Sequence, residues 1–224
     1  MKILVVAAHP DDEVLGCGGT VARLISEGNE ASVLILGEGI TSRDAERNDE
    51  RRIRELKKLR RHIFRAQDVI GTKKVYTHDF PDNRFDEVPL LEIVKVVEKI
   101  KESVSPDMIF THYAKDLNID HQLTYQAVLT ATRPLPGETV KEIYSFEILS
   151  STEWNYPLSF SPNIFFNIED TLKHKLNGMK EYTSELRDYP HPRSLKGIEK
   201  NASYWGMRIG KRYAEAFETV RAIK

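Results

Sequence analysis

The stretch that decides the fold is residues 2–8 (KILVVAA), followed at once by residues 9–13 (HPDDE). The first segment is a short, nearly continuous apolar run, which is typical of a strand buried on both faces of a parallel sheet. The second segment is polar and acidic, so the strand ends there. We therefore expect a buried first strand with chemically active side chains directly after its carboxyl end.

The same alternation of strand and helix patterns continues along the chain. Further strands are predicted at residues 31–36, 74–78, 107–112, 140–148 and 163–167, and helices at residues 19–27, 42–70, 90–104, 123–132, 171–186 and 195–218. Strands that alternate with helices through short turns predict a mostly parallel sheet with helices on both faces. The fold class is therefore α/β and Rossmann-like. Since no linker or repeat divides the sequence, we treat residues 1–224 as a single domain.

Composition excludes several classes of protein. The chain has 33 Lys+Arg against 34 Asp+Glu and a net charge of −1, so no excess positive charge favours nucleic-acid binding. No apolar run approaches the roughly 20 residues of a membrane span. The single Cys17 cannot form an intrachain disulfide, and cannot build a thiolate zinc site alone. The apolar start is too short for a signal peptide, and we expect a cytoplasmic protein.

Polar segments follow the first and fourth predicted strands. His9 and Asp12 follow the first strand, and His121 ends residues 118–121 (NIDH) after the fourth. In the common strand order 3-2-1-4-5-6 these strands are neighbours, at the crevice where ligands bind. Two imidazoles and one carboxylate form a catalytic metal set with an open position for water. The competing interpretation is a helix-capping Asp beside ordinary histidines. The adjacent acids Asp11 and Asp12 favour the metal, because they repel each other unless a cation offsets them.

A glycine cluster at residues 16–19 (GCGG) allows a different interpretation, a phosphate-binding loop. The third glycine of a dinucleotide fingerprint would fall on Val21, and the acids at residues 11–13 would repel a pyrophosphate. We therefore interpret the glycines as a device for close packing of a helix on a strand.

Residues 8–13 (AHPDDE) and 16–20 (GCGGT) strongly resemble the opening of the LmbE-like, or PIG-L, family of zinc-dependent de-N-acetylases. Residues 52–55 (RIRE), 120–121 (DH) and 213–217 (YAEAF) resemble further motifs of that family. The resemblance implies an LmbE-like fold and a hydrolase that removes the N-acetyl group from a GlcNAc-type amino sugar or its conjugate. It also implies a small-molecule amino-sugar substrate, and it is compatible with a homo-oligomer.

The resemblance further implies roles for individual residues. His9, Asp12 and His121 would bind Zn²⁺, and Asp11 would be the general base that takes a proton from zinc-bound water. Asp120, beside a ligand, would orient an imidazole. One carboxylate of the pair therefore stays free of the metal to move protons.

The sequence departs from the family pattern at Asn118, where many members have a histidine. An amide can donate to an oxyanion, but it cannot deliver a proton at neutral pH. Either Asp11 shuttles the proton itself, or His112 or His191 supplies it. We also expect His191 and Arg193 to close over the substrate.

Two positions remain open between functional and structural roles. Arg52 either holds sugar hydroxyls or a phosphate of the substrate, or pairs with Glu55 on a helix surface. Trp154, at the end of the polar segment 150–154, either forms a platform for a sugar ring or packs into the core.

Three other functions fit part of the same pattern. Two histidines and one carboxylate also describe the facial triad of Fe(II) enzymes. An amidase on another N-acyl conjugate would use the same residues, and a non-catalytic module that binds a sugar or nucleotide could share the scaffold. The extra acid Asp11 favours hydrolysis, in which a base is required.

Overall fold

The computed structural model describes residues 1–39 and 49–224, with side chains described for residues 1–39 and 54–224. The strands in this part of the chain are β1 (Lys2–Ala7), β2 (Glu30–Gly37), β3 (Lys74–Phe80), β4 (Met108–His112), β5 (Glu142–Phe146), β6 (Ile164–Asn167) and β7 (Ala214–Ala222). The helices are α1 (Asp12–Ser26), α2 (Asp49–Ile70), α3 (Leu90–Val104), α4 (Ile119–Ala131), α5 (Leu172–Glu181) and α6 (Leu195–Met207). None of the helices described is long and apolar enough to cross a membrane.

The strands form a mixed, mostly parallel sheet in the order β3-β2-β1-β4-β5-β7-β6. β1 pairs in parallel with both β2 and β4, and the pairs β2–β3 and β4–β5 are also parallel. β7 runs antiparallel to β5 and β6. The predicted fold class is confirmed, and so is the predicted neighbourhood of β1 and β4. Because the chain order reverses between these two strands, a crevice opens beyond their carboxyl ends.

Side chains of β1 alternate between two hydrophobic cores, as the pleat of a strand requires. Ile3 and Val5 pack in the core that α1, α2, α5 and α6 cover. Leu4 and Val6 pack in the core that α3 and α4 cover on the opposite face. The nearly unbroken apolar run of β1 thus reflects burial on both faces.

Helix α1 begins at Asp12, seven residues before the predicted start, because glycines that are unfavourable in an isolated helix are accommodated here by packing. A Cβ atom on Gly16 would lie 2.4 Å from the ring of Phe146 in β5. A Cβ atom on Gly19 would lie 2.9 Å from Ile168. The glycines therefore let α1 lie close against the sheet, as the packing interpretation predicts.

Helix α4 also begins earlier than predicted, at Ile119 rather than residue 123. Asn118 is its N-cap, and its Oδ1 accepts a hydrogen bond from the backbone N–H of Asp120 at 2.8 Å. This cap places Asp120 and His121 in the first turn of the helix.

The prediction of a helix over residues 195–218 is wrong in its second half. Helix α6 ends at Met207, and the chain returns as β7 between β5 and β6. Alanine and glutamate favour a helix in isolation, but pairing with strands on both sides overrides that preference. Glu215 is buried in this strand, where it forms an ion pair with Lys175 and accepts from the N–H of Gly19.

We predict that Gly16→Ala destabilises the protein, although alanine is the better helix former. The methyl group would overlap the Phe146 ring, and overpacking of a core typically costs about 1–3 kcal/mol. Chemical denaturation measures the change. The matched control is Gly18→Ala, where the nearest atom is a Val14 methyl at 3.1 Å. Equal stability of Gly16→Ala and the wild type would contradict the packing argument.

Candidate metal centre

Three side chains from distant parts of the sequence meet at the crevice between β1 and β4. His9 follows β1, Asp12 is the first residue of α1, and His121 lies in the first turn of α4. The ligand atoms of these three residues form a group that could hold a metal ion. The structure therefore brings together the metal ligands that the family resemblance implies.

The spacing of the three ligand atoms matches a tetrahedral metal. Nδ1 of His9 lies 3.4 Å from Oδ2 of Asp12, and Nε2 of His121 lies 3.3 Å from each of these atoms. Ligands about 2.0–2.1 Å from a tetrahedral centre are separated by about 3.3–3.4 Å. The triangle thus fits an ion with a fourth position open.

The carboxylates around the three ligand atoms also favour a bound cation. Burial opposes protonation of His9, but hydrogen bonds to Asp12 and Asp120 outweigh it and raise the pKa of His9 to about 10. Burial also lowers the pKa of His121, but the charge of Asp12 and the contact with Asp116 have the larger effect and raise this pKa to about 9. Among the described residues, Oδ1 of Asp12 has no hydrogen-bond partner. A divalent cation would supply the positive charge that these carboxylates attract.

Asp120 contacts His9 and not its sequence neighbour His121. Its Oδ2 lies 2.9 Å from Nε2 of His9, and its Oδ1 accepts from the backbone N–H of Phe85 at 2.9 Å. Oδ1 of Asp82 lies 3.3 Å from the same histidine nitrogen, so His9, Asp82 and Asp120 form a second group of metal-binding character. Since Asp120 holds Nε2 of His9, the other nitrogen, Nδ1, faces Asp12 and His121.

Asp116 performs the corresponding task for His121, and sequence reasoning missed it. Its Oδ1 lies 3.0 Å from Nδ1 of His121, and it accepts short hydrogen bonds from the hydroxyl groups of Ser151 and Thr152. Burial would raise the pKa of Asp116, but the contacts with His121, Ser151 and Thr152 lower it to about 2. Asp116 is therefore ionised at neutral pH, and a carboxylate in this position would fix the ring orientation of a metal-binding histidine.

Asp11 lies beside the ligand group and is held from two sides. Its backbone is left-handed, with φ of 96°, and its N–H donates to Oε2 of Glu13 at 3.0 Å. Glu13 is itself held by Gln67 and Tyr182. Burial raises the pKa of the Asp11 carboxyl well above its usual value, and Arg193, 3.2 Å from Oδ2, partly offsets this.

His112 and His191, the alternatives to Asp11 as proton donor, lie in different surroundings. His112 is fully buried, and its Nε2 accepts from the N–H of Ala8 at 2.8 Å. Burial and the neighbouring His121 hold the pKa of His112 well below its usual value. His191 is half-buried, its ring forms a T-shaped contact with Trp154, and its Nδ1 accepts from the N–H of Arg193. His112 therefore has no proton to deliver through Nε2, whereas Nε2 of His191 carries the proton of the neutral ring.

The remaining two predicted substrate contacts have separate outcomes. Asn118 uses Oδ1 as the cap of α4 and donates from Nδ2 to Oδ1 of Asn83 at 2.8 Å. Its amide is therefore engaged in local structure. Arg52 lies in α2, but its side chain is outside the described residues, so its role stays a prediction.

We predict that Asp116→Asn weakens metal binding about 10- to 100-fold, because loss of an outer carboxylate loosens a ligand histidine. Isothermal titration with zinc measures the change. Asp79→Asn is the matched control, since Asp79 forms an exposed pair with Arg60. Unchanged zinc affinity in a folded Asp116→Asn protein would contradict the assigned role.

Comparison with known proteins places this geometry in a family. The model of the PIG-L family, described as GlcNAc-PI de-N-acetylase, matches residues 4–132. The chain is 28% identical over 190 residues to the uncharacterized deacetylase YaiS of Escherichia coli, covering 81% of this chain and 90% of that protein. It is 27% identical over 235 residues to the diacetylchitobiose deacetylase of Thermococcus kodakarensis, covering 99% and 84% respectively.

Solved structures show the same fold with more than one activity. The N,N'-diacetylchitobiose deacetylase of Pyrococcus horikoshii superposes with a TM-score of 0.76 at 22% identity, covering 98% of this chain and 84% of that one. GalB, a 4-carboxy-2-hydroxymuconate hydratase from Pseudomonas putida KT2440, superposes with a TM-score of 0.80 at 19% identity, covering 100% and 97%. These likenesses establish the fold, while the sequence match over more than half of the chain establishes that the protein belongs to the PIG-L family.

Proposed function

We propose that this protein is a zinc-dependent hydrolase that removes the N-acetyl group from a GlcNAc-type amino sugar or its conjugate. The observation that carries the proposal is a second buried carboxylate, Asp11, next to the triangle of His9, Asp12 and His121. The names of the relatives, which are deacetylases of diacetylchitobiose and of N-acetylglucosaminyl malate, support this substrate class.

In amide hydrolysis, a bound zinc and Asp11 have different roles. Bound zinc supplies Lewis acidity, which polarises the acetamide carbonyl and makes water more acidic. Asp11 takes a proton from the attacking water and returns it to the nitrogen of the leaving amine, so acetate and the free amino sugar are formed. His112 accepts from Ala8 and Asn118 cannot give up a proton, so we assign both steps to Asp11 and test the remaining histidine, His191, by substitution below.

Arg193 controls the state of this base. Burial alone favours the neutral carboxyl, while the guanidinium 3.2 Å from Oδ2 favours the carboxylate. The same guanidinium donates from Nε to the hydroxyl of Ser150 at 2.7 Å, which fixes its plane. The base is thereby oriented and kept ionisable although it is buried.

We predict that zinc-loaded wild type releases acetate from a panel of N-acetylglucosamine compounds, and that Asp11→Asn lowers kcat about 10²- to 10⁴-fold. Asparagine tolerates the left-handed backbone at this position, so the fold and the zinc content should be retained. An enzymatic acetate assay, run beside zinc analysis of both proteins, measures this.

The same experiment separates the other functions. Acetate release by both proteins at equal rates would remove Asp11 from the mechanism. If neither the wild type nor Asp11→Asn releases acetate although both bind zinc, a binding module or another amide substrate would be favoured. The protein should also be prepared under oxygen exclusion and its metal content analysed. Iron in place of zinc in the active protein would favour the Fe(II) alternative.

We predict that Arg193→Ala lowers kcat/KM roughly 10- to 100-fold, mainly through kcat, because the base loses a charged partner. His191→Ala should lower kcat/KM less than Arg193→Ala, since the His191 ring packs against Trp154 while Arg193 contacts Asp11 directly. Arg187→Ala is the matched control, because Arg187 is exposed and donates hydrogen bonds to the nearby backbone carbonyls of Ser184 and Leu186. Wild-type kcat/KM in both test variants would rule out closure of these residues over the substrate.

A further inference from the structure

Asp11 occupies the N-cap position of helix α1, but its side chain does not cap the helix. An aspartate in this position usually has an extended backbone, and its carboxylate accepts from the N–H of the second or third helical residue. Asp11 instead has a left-handed backbone, with φ of 96°, and its carboxylate makes no capping hydrogen bond. Its Oδ2 lies 3.2 Å from the guanidinium of Arg193. The carboxylate is therefore kept away from the place that local preference favours for it.

The left-handed backbone of Asp11 is held through both of its polar groups. Its carbonyl accepts from the N–H groups of Val14, at 3.1 Å, and Leu15, at 2.9 Å. Its N–H donates to Oε2 of Glu13 at 3.0 Å. The carbonyl of an N-cap residue makes such bonds at the start of any helix. The bond to Glu13 is therefore the contact that favours this conformation, which is costly for a residue with a side chain.

Glu13 forms one half of an arrangement that is common at helix starts. In a capping box, the N-cap side chain bonds to an N–H of the first turn, and a side chain of the first turn bonds back to the N-cap N–H. Here Glu13 bonds back to the N–H of Asp11, while the bond from the carboxylate of Asp11 to the helix is not made. This one-sided arrangement leaves the carboxylate of Asp11 available for other partners.

Two further helices fix the side chain of Glu13, which is buried. Gln67 of α2 donates from Nε2 to Oε1 of Glu13 at 2.7 Å, and the hydroxyl of Tyr182, directly after α5, donates to the same oxygen at 2.5 Å. The hydroxyl of Thr72 donates to Oε1 of Gln67 at 3.2 Å, so the amide nitrogen of Gln67 faces Glu13. Since both oxygens of Glu13 accept hydrogen bonds, its carboxylate cannot turn without breaking at least one of them.

We propose that Glu13 is a positioning residue for the general base. Held by Gln67 and Tyr182, it keeps the backbone of Asp11 left-handed, so that the carboxylate of Asp11 contacts Arg193 instead of capping α1. This inference rests on the proposed function and adds a residue to the same site. Glu13 acts through the backbone of Asp11 and transfers no proton itself.

The test is Glu13→Gln in the zinc-loaded full chain, assayed with the panel of N-acetylglucosamine compounds. Glutamine has the same size but only one oxygen, which cannot accept both from Asp11 and from the donors on the other side. We expect kcat to fall roughly 10- to 100-fold with little change in KM, because the base is displaced while the substrate contacts remain. Adding Gln67→Glu should restore most of kcat, since the new carboxylate accepts from the introduced amide and leaves its oxygen for Asp11.

Tyr182→Phe is a milder second variant, which removes one donor to Glu13 and keeps the buried ring. We expect kcat to fall about three- to tenfold, which corresponds to one hydrogen bond. The matched control is Tyr144→Phe. Tyr144 is also buried, and its hydroxyl donates to Oε2 of Glu142 in β5 at 2.7 Å. This substitution removes the same kind of bond, and kcat should stay at the wild-type value.

A double-mutant cycle separates positioning from a general loss of structure. In Asp11→Asn the base is already absent, so Glu13→Gln should lower the residual kcat by less than about twofold. A purely structural role would lower kcat by the same factor in both backgrounds. Equal factors, or wild-type kcat in Glu13→Gln, would overturn the proposal. Tyr182→Phe passes through the same cycle if Glu13→Gln does not fold.

Amide hydrogen exchange, followed by NMR on the zinc-loaded protein, gives a readout that does not require turnover. The N–H of Asp11 should exchange slowly in the wild type and faster in Glu13→Gln, while the N–H of Leu15, which bonds to the Asp11 carbonyl, stays protected. If no compound yields acetate, deacetylation is overturned, and faster exchange at Asp11 in the variant still supports the hold by Glu13. Equal exchange at Asp11 in both proteins overturns that hold, whether or not acetate is released.

Discussion

Burial of negative charge beyond β1 and β4 is the constraint on which the rest of the structure depends. Asp11, Asp12, Asp116 and Asp120 are each no more than 1% exposed. Buried carboxylates cost several kcal/mol each unless partners or a cation compensate them. The fold supplies part of this compensation through helix N-termini, backbone N–H groups and a guanidinium, and it leaves the ligand triangle for a metal ion.

The sheet topology makes that compensation available at one place. Reversal of strand order between β1 and β4 directs the first turns of α1 and α4 toward the same crevice. Asp12 and Asp120 lie in these first turns, where the partial positive charge of a helix N-terminus favours carboxylates. The acidic motif therefore both begins helix α1 and provides the chemistry. Gly16 and Gly19, which follow this motif, allow the helix to lie close to Phe146 and Ile168.

Features that depend on local pattern and spacing could be predicted from the sequence. The burial of β1, the neighbourhood of β4 and the meeting of His9, Asp12 and His121 follow from strand pattern, turn position and motif. The supporting contacts could not be predicted in this way, because each joins segments that no local pattern links. Asp116 accepts hydrogen bonds from Ser151 and Thr152, which lie 35 and 36 residues away in sequence. No spacing rule predicts such a contact.

Glu215 shows the same limit in the fold itself. Local propensity favours a helix there, yet β7 pairs with β5 and β6, and its carboxylate is matched by Lys175 from α5. A glutamate in a buried strand is acceptable only when that partner is in place. The partner lies 40 residues away in sequence, so no window of local sequence contains both halves of the pair.

One loop links the two halves of the chemistry. Ser151 and Thr152 hold Asp116 behind a ligand histidine, while Ser150 accepts from the arginine that contacts the base. A shift of this loop would therefore alter the contact of Asp116 with His121 and that of Arg193 with Asp11 together. The same loop also carries the exposed indole of Trp154. The surroundings of His121 and Asp11 thus both depend on a single short segment, which the buried carboxylate of Asp116 holds in place.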